Sequence, residues 1–69
     1  METKTGTIIT MQKEKGYGFI RPDNEGVNIF FHASMVLLPK YEELNIGERV
    51  EYLEKETTKG WQAVDVAAM

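Results

Sequence analysis

Short apolar runs alternate with polar connectors along the chain, at a spacing of about ten residues. Five of these runs are rich in β-branched and aromatic residues, a composition that favours strands over helices. We predict strands over residues 5–11, 17–21, 27–32, 49–55 and 61–66. Five short strands separated by turns are typical of a small all-β barrel.

The connectors between these runs have the composition of turns. Residues 22–26, Pro-Asp-Asn-Glu-Gly, are suited to a hairpin loop, and the polar segment 12–16 ends in glycine. The connection 33–48 is longer, and its first residues, 33–38, are predicted to form one helical turn before Pro39. No internal repeat or low-complexity tract interrupts this pattern.

The alternation of side chains along a strand separates a core face from a solvent face. On the second predicted strand Tyr17 and Phe19 share one face, and on the third Phe30 and His32 share one face. A thin barrel has a single interior, which we predict to contain Ile8, Ile20, Ile29, Phe31, Val50 and Val66. The four side chains on the other face should then lie exposed on adjacent strands.

We call Tyr17, Phe19, Phe30 and His32 the aromatic platform. Exposed rings grouped in this way usually mark a binding surface. Single-stranded nucleic acid would cover them, because each stacked base contributes about 1–3 kcal/mol. The alternative interpretation is that the connection 33–48 folds over one of these faces and buries the rings.

The composition limits the kinds of site that the chain can offer. Its 69 residues are expected to form one domain, 1–69, with a thin core. The absence of cysteine excludes disulfides and thiolate metal sites, and His32 alone cannot form a multi-histidine metal site. We expect no cofactor, and a cytoplasmic protein, since small secreted domains usually need disulfides. No apolar run approaches the roughly 20 residues that span a membrane, and the N-terminus does not resemble a signal peptide.

The charge balance argues against a strong electrostatic attraction to nucleic acid. Eleven acidic residues against eight basic ones give a net charge of −3. The basic residues are nevertheless concentrated in the first 21 positions, whereas glutamates dominate the second half. An acidic protein with one basic face and an evenly solvated surface are both compatible with this distribution.

Catalytic motifs are weak in this sequence. Ser34 lies two residues after His32, but no acid is placed to orient the imidazole. Gly16 and Gly18 lack the third glycine of a dinucleotide-binding loop and precede a strand. We therefore predict that the protein is not an enzyme.

Two segments resemble the ribonucleoprotein motifs of the cold-shock domain family. Residues 15–20, Lys-Gly-Tyr-Gly-Phe-Ile, resemble the first motif, and residues 29–34, Ile-Phe-Phe-His-Ala-Ser, resemble the second. The resemblance implies a five-stranded antiparallel OB-fold barrel that binds single-stranded RNA or DNA with little sequence specificity. It also implies RNA-chaperone activity or an effect on transcription or translation.

The resemblance assigns roles to residues that match the family's pattern. It gives base stacking to the aromatic platform and to Tyr41 of the long loop, and nucleic-acid contacts to Lys59 and Gln62. Lys15 matches a basic residue of the first motif, and Lys13 and Arg21 are further phosphate partners. The complete candidate binding set is Lys13, Lys15, Tyr17, Phe19, Arg21, Phe30, His32, Tyr41, Lys59, Trp61 and Gln62.

The first strand departs from the family's pattern. Thr10 stands where the family has a platform tryptophan, Ile9 where it has a basic residue, and Ala33 where an aromatic usually follows the histidine. Trp61 occupies a position where many relatives have proline. It is expected either to stack on a base or to have a structural role, in which it caps the end of the barrel or packs against Lys55.

The pattern and the resemblance together predict sequence-tolerant binding of single-stranded nucleic acid. The alternative is a degenerate barrel that uses its aromatic patch to bind a protein partner, which the net charge and the altered first strand favour. We expect a monomer that does not bind membranes. Strand exchange through the 33–48 connection would give a dimer, and the sequence leaves that alternative open.

Overall fold

The computed structural model describes residues 2–24 and 26–69 of the chain. Every predicted strand is present, and the bounds differ by at most a few residues. The predicted turn 22–26 includes Glu25, which lies outside the described residues. The strands are β1 (Lys4–Gln12), β2 (Tyr17–Pro22), β3 (Ile29–His32), β4 (Val36–Leu38), β5 (Arg49–Thr57) and β6 (Gly60–Ala68), with 3-10 turns at Ala33–Met35 and Tyr41–Glu43.

The helical turn predicted over 33–38 is wrong in its second half. A 3-10 turn covers Ala33–Met35 only, and Val36–Leu38 forms the short strand β4 beside β6. Two local effects favour the extended conformation there. Val36 is β-branched, and Leu38 precedes Pro39, whose ring disfavours helical dihedral angles at the preceding residue.

The strands form one sheet in the order β3-β2-β1-β5-β6-β4, and a parallel pairing of β3 with β6 closes it into a barrel. The pairs β1–β2, β2–β3, β1–β5 and β5–β6 are antiparallel, as expected for a barrel of this kind. The prediction of an all-β, five-stranded barrel is confirmed, with the fourth and fifth barrel strands being β5 and β6. β4 is an additional short strand at the sheet edge, and its pairing with β6 is also parallel.

The six residues predicted for the core are all buried. Four further side chains complete the same cluster, and two of these come from the 33–48 connection. That connection therefore contributes to the core, and the three rings of the aromatic platform remain half-buried. The additional core residues are Tyr41, Leu44, Tyr52 and Ala63.

Gly18 brings the backbone of β2 close to the core. A Cβ atom at this position would lie 2.6 Å from the carbonyl oxygen of Thr10 and 2.8 Å from the ring of Phe31. Any side chain at residue 18 would therefore displace either β1 or the core ring. Glycine between Tyr17 and Phe19 lets the platform strand lie flat on the core.

Membrane-spanning helices and metal-ligand clusters are both absent from residues 2–24 and 26–69. Nowhere in these residues is there a helix long and apolar enough to cross a membrane. The same residues contain no group of three or more histidine or acidic side chains that could hold a metal ion.

Candidate nucleic-acid interface

The aromatic platform lies on β2 and β3, whose register brings its members together in pairs. Tyr17 is opposite His32, and Phe19 is opposite Phe30. The rings of Tyr17 and Phe30 are stacked with centroids 5.4 Å apart, while Phe19 meets Phe30 edge-on at 5.8 Å. Tyr17 and Phe19 also meet edge-on, at 6.1 Å. The three rings thus form one continuous surface, half-buried by mutual contact, with the exposed His32 at its border.

Hydrogen bonds to Ser34 fix the orientation of the His32 ring. The backbone N–H of Ser34 donates to Nδ1 of His32 at 3.1 Å, and the Ser34 hydroxyl lies 2.9 Å from the same nitrogen. Nδ1 therefore acts as an acceptor, so the neutral imidazole carries its hydrogen on Nε2. The histidine offers a ligand both a ring face and one N–H donor.

The platform continues onto β1, but without a ring. The register between β1 and β2 shifts between Ile8 and Thr10, so Ile9 is the extra residue of a bulge. After the bulge, Thr10 is opposite Phe19 and Gln12 is opposite Tyr17. Thr10 is half-buried and Gln12 is exposed, so both border the platform. Neither side chain provides the stacking surface that an aromatic ring would add.

Two of the predicted phosphate partners have neighbours that limit their freedom. The Lys13 ammonium donates to the backbone carbonyl of Glu42 at 2.9 Å, which leaves two of its three donors available. Arg21 is exposed on β2, and its charge acts on Asp23, whose main partner is Arg49. Lys15 is exposed in the turn between β1 and β2.

A groove beside the platform contains a lysine that the sequence reasoning missed. We call it the basic groove: it is lined by Phe30 and His32 on one side, and by Lys55, Lys59 and Gln62 on the other. Lys55 pairs with Gln62 across the β5–β6 hairpin. A hairpin turn at 58–59 places Lys55 opposite Gln62, so the signal that brings Lys55 to this groove is present in the sequence.

Tyr41 is not available as a stacking surface, contrary to the expectation for the long loop. Its side chain is only 5% exposed, and its ring contacts Phe31 in the core. The hydroxyl donates to the backbone carbonyl of Tyr17 at 2.7 Å. Burial raises the pKa of this hydroxyl above its ordinary value, so it stays a donor. Tyr41 supports the platform strand from below.

Trp61 lies apart from the aromatic platform. It follows Gly60 at the start of β6. Side chains alternate along the strand, so Trp61 shares a face with the buried Ala63. Gln62, between them, faces the basic groove. The indole is 58% exposed and lines a separate hollow with Val27, a neighbour from the β2–β3 connection. Trp61 therefore lies at the end of the barrel, beyond the buried Ala63 and away from the platform rings.

Comparison with known proteins places this architecture in a family. The family model described as 'Cold-shock' DNA-binding domain matches residues 4–69. The chain belongs to the cold-shock domain family. Proteins of this family bind nucleic acid and are not enzymes, in agreement with the prediction of a non-catalytic chain.

Individual relatives match over nearly the whole cold-shock domain. The major cold shock protein of Micrococcus luteus is 36% identical over 64 residues, covering 93% of this chain and 96% of the relative. Cold shock-like protein CspJ of Salmonella typhi is 36% identical over 70 residues, covering 100% of both chains. The solved structure of drosophila Unr CSD456 has a TM-score of 0.83 at 26% identity, covering 99% of this chain and 27% of that one.

Proposed function

We propose that this cold-shock domain binds single-stranded RNA or DNA through the aromatic platform, with little dependence on base sequence. The observation that supports the proposal is the continuous surface of Tyr17, Phe19 and Phe30, whose centroids lie 5.4–6.1 Å apart. Every base has a π face, so stacking on rings of this kind tolerates any sequence. Duplex DNA or RNA keeps its bases stacked on one another and cannot use the platform.

The phosphates of the bound strand would follow the cationic side chains at the platform's borders. Lys15 lies at one end of β2, and Lys55 and Lys59 border the basic groove beside Phe30. Lys13 and Arg21 contribute more weakly, since each already interacts with a neighbouring residue. Contacts to phosphates position the strand without reading its sequence.

RNA-chaperone activity follows from the same contacts. Bases that stack on Phe19 and Phe30 cannot pair with a complementary strand, so binding shifts the equilibrium of a hairpin towards its open form. No nucleotide hydrolysis is required, because the free energy of binding drives the opening. Changes in transcription or translation would result wherever such a hairpin controls either process.

A direct test compares single-stranded and duplex ligands of the same sequence. Fluorescence anisotropy of labelled oligopyrimidines, oligopurines and the corresponding duplexes would be measured at low and moderate salt. We expect both single strands to bind with similar affinities and the duplex to bind much more weakly. Absence of single-strand binding would overturn the proposal and favour a protein partner for the aromatic patch.

A further inference from the structure

One open end of the barrel forms a second candidate site, separate from the aromatic platform. We call it the barrel mouth: it is lined by Val27, Asn28, Ile29, Glu54 and Trp61. Its residues come from the β2–β3 connection, the start of β3 and the β5–β6 hairpin. Barrel mouths are common binding sites, because the core face of the sheet continues there beyond the packed interior.

The floor and part of the wall of the barrel mouth are apolar. Ile29 is 5% exposed and belongs to the core, while Trp61 and Val27 are 58% and 77% exposed. An indole that is exposed beside apolar neighbours offers a flat surface on which a planar ligand can stack. A planar ring placed there would cover apolar surface that now faces water.

Two polar side chains line the same hollow. In the β5–β6 ladder Glu54 pairs with Ala63, and Glu56 pairs with Trp61. The side chains of Glu54 and Trp61 therefore lie on the same face of the hairpin, diagonally across from one another. The Glu54 carboxylate is 20% exposed and lies 3.8 Å from the Lys4 ammonium. This distance exceeds the 2.7–2.9 Å typical of a charge-assisted hydrogen bond, so the carboxylate retains acceptor capacity. Asn28 adds an amide that can donate and accept.

We propose that the barrel mouth binds a guanine base, which stacks on Trp61 and donates to Glu54. A carboxylate only accepts hydrogen bonds, and guanine presents two adjacent donors, N1–H and the exocyclic amino group, on one edge. Adenine and cytosine present an amino group beside a ring acceptor, and uracil presents one N–H between two carbonyls. Guanine alone matches both carboxylate oxygens of Glu54.

The barrel mouth lies next to the platform along the sheet. Phe30 is opposite Gln62 in the β3–β6 pair, and Ile29 and Trp61 are the preceding residues of the two strands. One residue corresponds to about 3.3 Å along a strand. Ile29 and Trp61 point to the core face, whereas Phe30 and Gln62 point to the platform face, so a strand stacked on Phe30 reaches Trp61 by turning around the end of the sheet. A free guanine nucleotide can reach the same site. The guanine can thus come from two sources, a bound single strand or a free nucleotide. The strand source rests on the proposed function, whereas the nucleotide source is independent of it.

The strand source is tested with a short thymidine oligonucleotide and with copies that carry a single guanine at each position in turn. We expect guanine at one terminal position to raise affinity about tenfold, the gain expected of a bidentate base contact. In Glu54→Gln the affinity for the guanine-containing oligonucleotide should fall to about that for the thymidine oligonucleotide, so that their ratio is about one. Glu51→Gln, an exposed position on the same strand with the same change of charge, should keep the ratio.

Phe30→Ala separates the barrel mouth from the platform. This substitution should lower the affinities for the thymidine and the guanine-containing oligonucleotides by the same factor, and so leave the ratio between them unchanged. If thymidine oligonucleotides do not bind at all, the proposed function fails, and the free-nucleotide measurement still tests the barrel mouth. If they bind and no position prefers guanine, the strand source is overturned.

The nucleotide source is tested through the fluorescence of Trp61, the only tryptophan in the chain. GMP should quench it saturably, AMP and UMP should not, and Glu54→Gln should remove the GMP effect. Saturable quenching without a guanine preference in oligonucleotides would assign the site to free nucleotides. Absence of both effects would overturn the proposal.

Discussion

Single residues on the aromatic platform have two roles, in the fold and in the complex. Phe19 and Phe30 are half-buried and touch one another edge-on, so each contributes to stability. Their remaining exposed surface is available for bases. Aromatic pairs of this geometry contribute about 0.5–1.5 kcal/mol beyond burial, and a stacked base contributes about 1–3 kcal/mol.

Replacing either ring should therefore weaken binding and also lower stability. We expect Phe19→Ala and Phe30→Ala each to weaken single-strand binding by about 1–3 kcal/mol. Titration by anisotropy gives the affinity, and urea denaturation shows that each variant is folded. Ile46→Ala is a control, because Ile46 is 62% exposed and belongs to neither the aromatic platform nor the barrel mouth. Unchanged affinity in both folded phenylalanine variants would mean that the strand binds elsewhere.

At the scale of elements, β1 limits the size of the platform. The bulge at Ile9 sets Thr10 opposite Phe19, so the side chain of residue 10 borders the rings. A threonine there provides no π face. The strand geometry for a larger platform is present, and only the side chain is missing.

Thr10→Trp should enlarge the platform and increase affinity. An added stacking ring contributes about 1–3 kcal/mol, and the bound strand should cover at least one more nucleotide. Thr10→Leu is the matched control, since it adds apolar surface at the same position without a ring. Affinities and site sizes come from titrations with oligonucleotides of increasing length. Equal gains from tryptophan and leucine would contradict a stacking mechanism.

At the scale of the whole molecule, one ion pair joins distant parts of the chain. Arg49 on β5 donates to both carboxylate oxygens of Asp23, at 2.6 and 2.7 Å. Thr5 on β1 donates to the same carboxylate. The hydrogen bonds from Arg49, more than those from Thr5, hold the pKa of Asp23 well below its usual range.

This ion pair should make stability depend on pH in the acid range. The depressed pKa of Asp23 means that its contribution is fully present above the ordinary value of 3.8 and is lost as pH falls through the folded-state pKa. Urea denaturation should therefore show a higher free energy of unfolding for wild type than for Asp23→Asn at neutral pH, and this difference should shrink below about pH 4. Asp65→Asn, at another exposed aspartate, controls for the change of charge. If the difference in free energy of unfolding between wild type and Asp23→Asn stayed constant down to strongly acid pH, the Asp23–Arg49 ion pair would not be the cause of the pH dependence.

The charge distribution of the whole molecule sets the salt dependence of binding. With two to four phosphates neutralised, log affinity should fall with log salt with a slope of roughly −1.4 to −2.8. Lys15→Gln should flatten the slope by about 0.7 without changing base preference. Lys40→Gln, an exposed lysine in the 33–48 connection, should leave it unchanged. A much steeper slope would mean that charge, and not stacking, provides most of the affinity.

The sequence by itself determined the five barrel strands, the inner core and the composition of the platform. These features depend on period-two alternation within one strand, so neighbours in the chain suffice to assign Phe31 to the core and Phe30 to the surface. The two segments 15–20 and 29–34 carried the resemblance to the cold-shock domain family, and most of their residues lie on the adjacent strands β2 and β3.

Only the tertiary structure decided the positions that depend on contacts between distant segments. The 33–48 connection has no alternation, and Tyr41 is buried because it packs against Phe31 and donates to the Tyr17 carbonyl. Parallel closure of β3 on β6 brought Lys55 to the basic groove and Trp61 to the barrel mouth. Side-chain periodicity describes one strand, whereas the register between strands far apart in sequence is set by packing of the closed barrel.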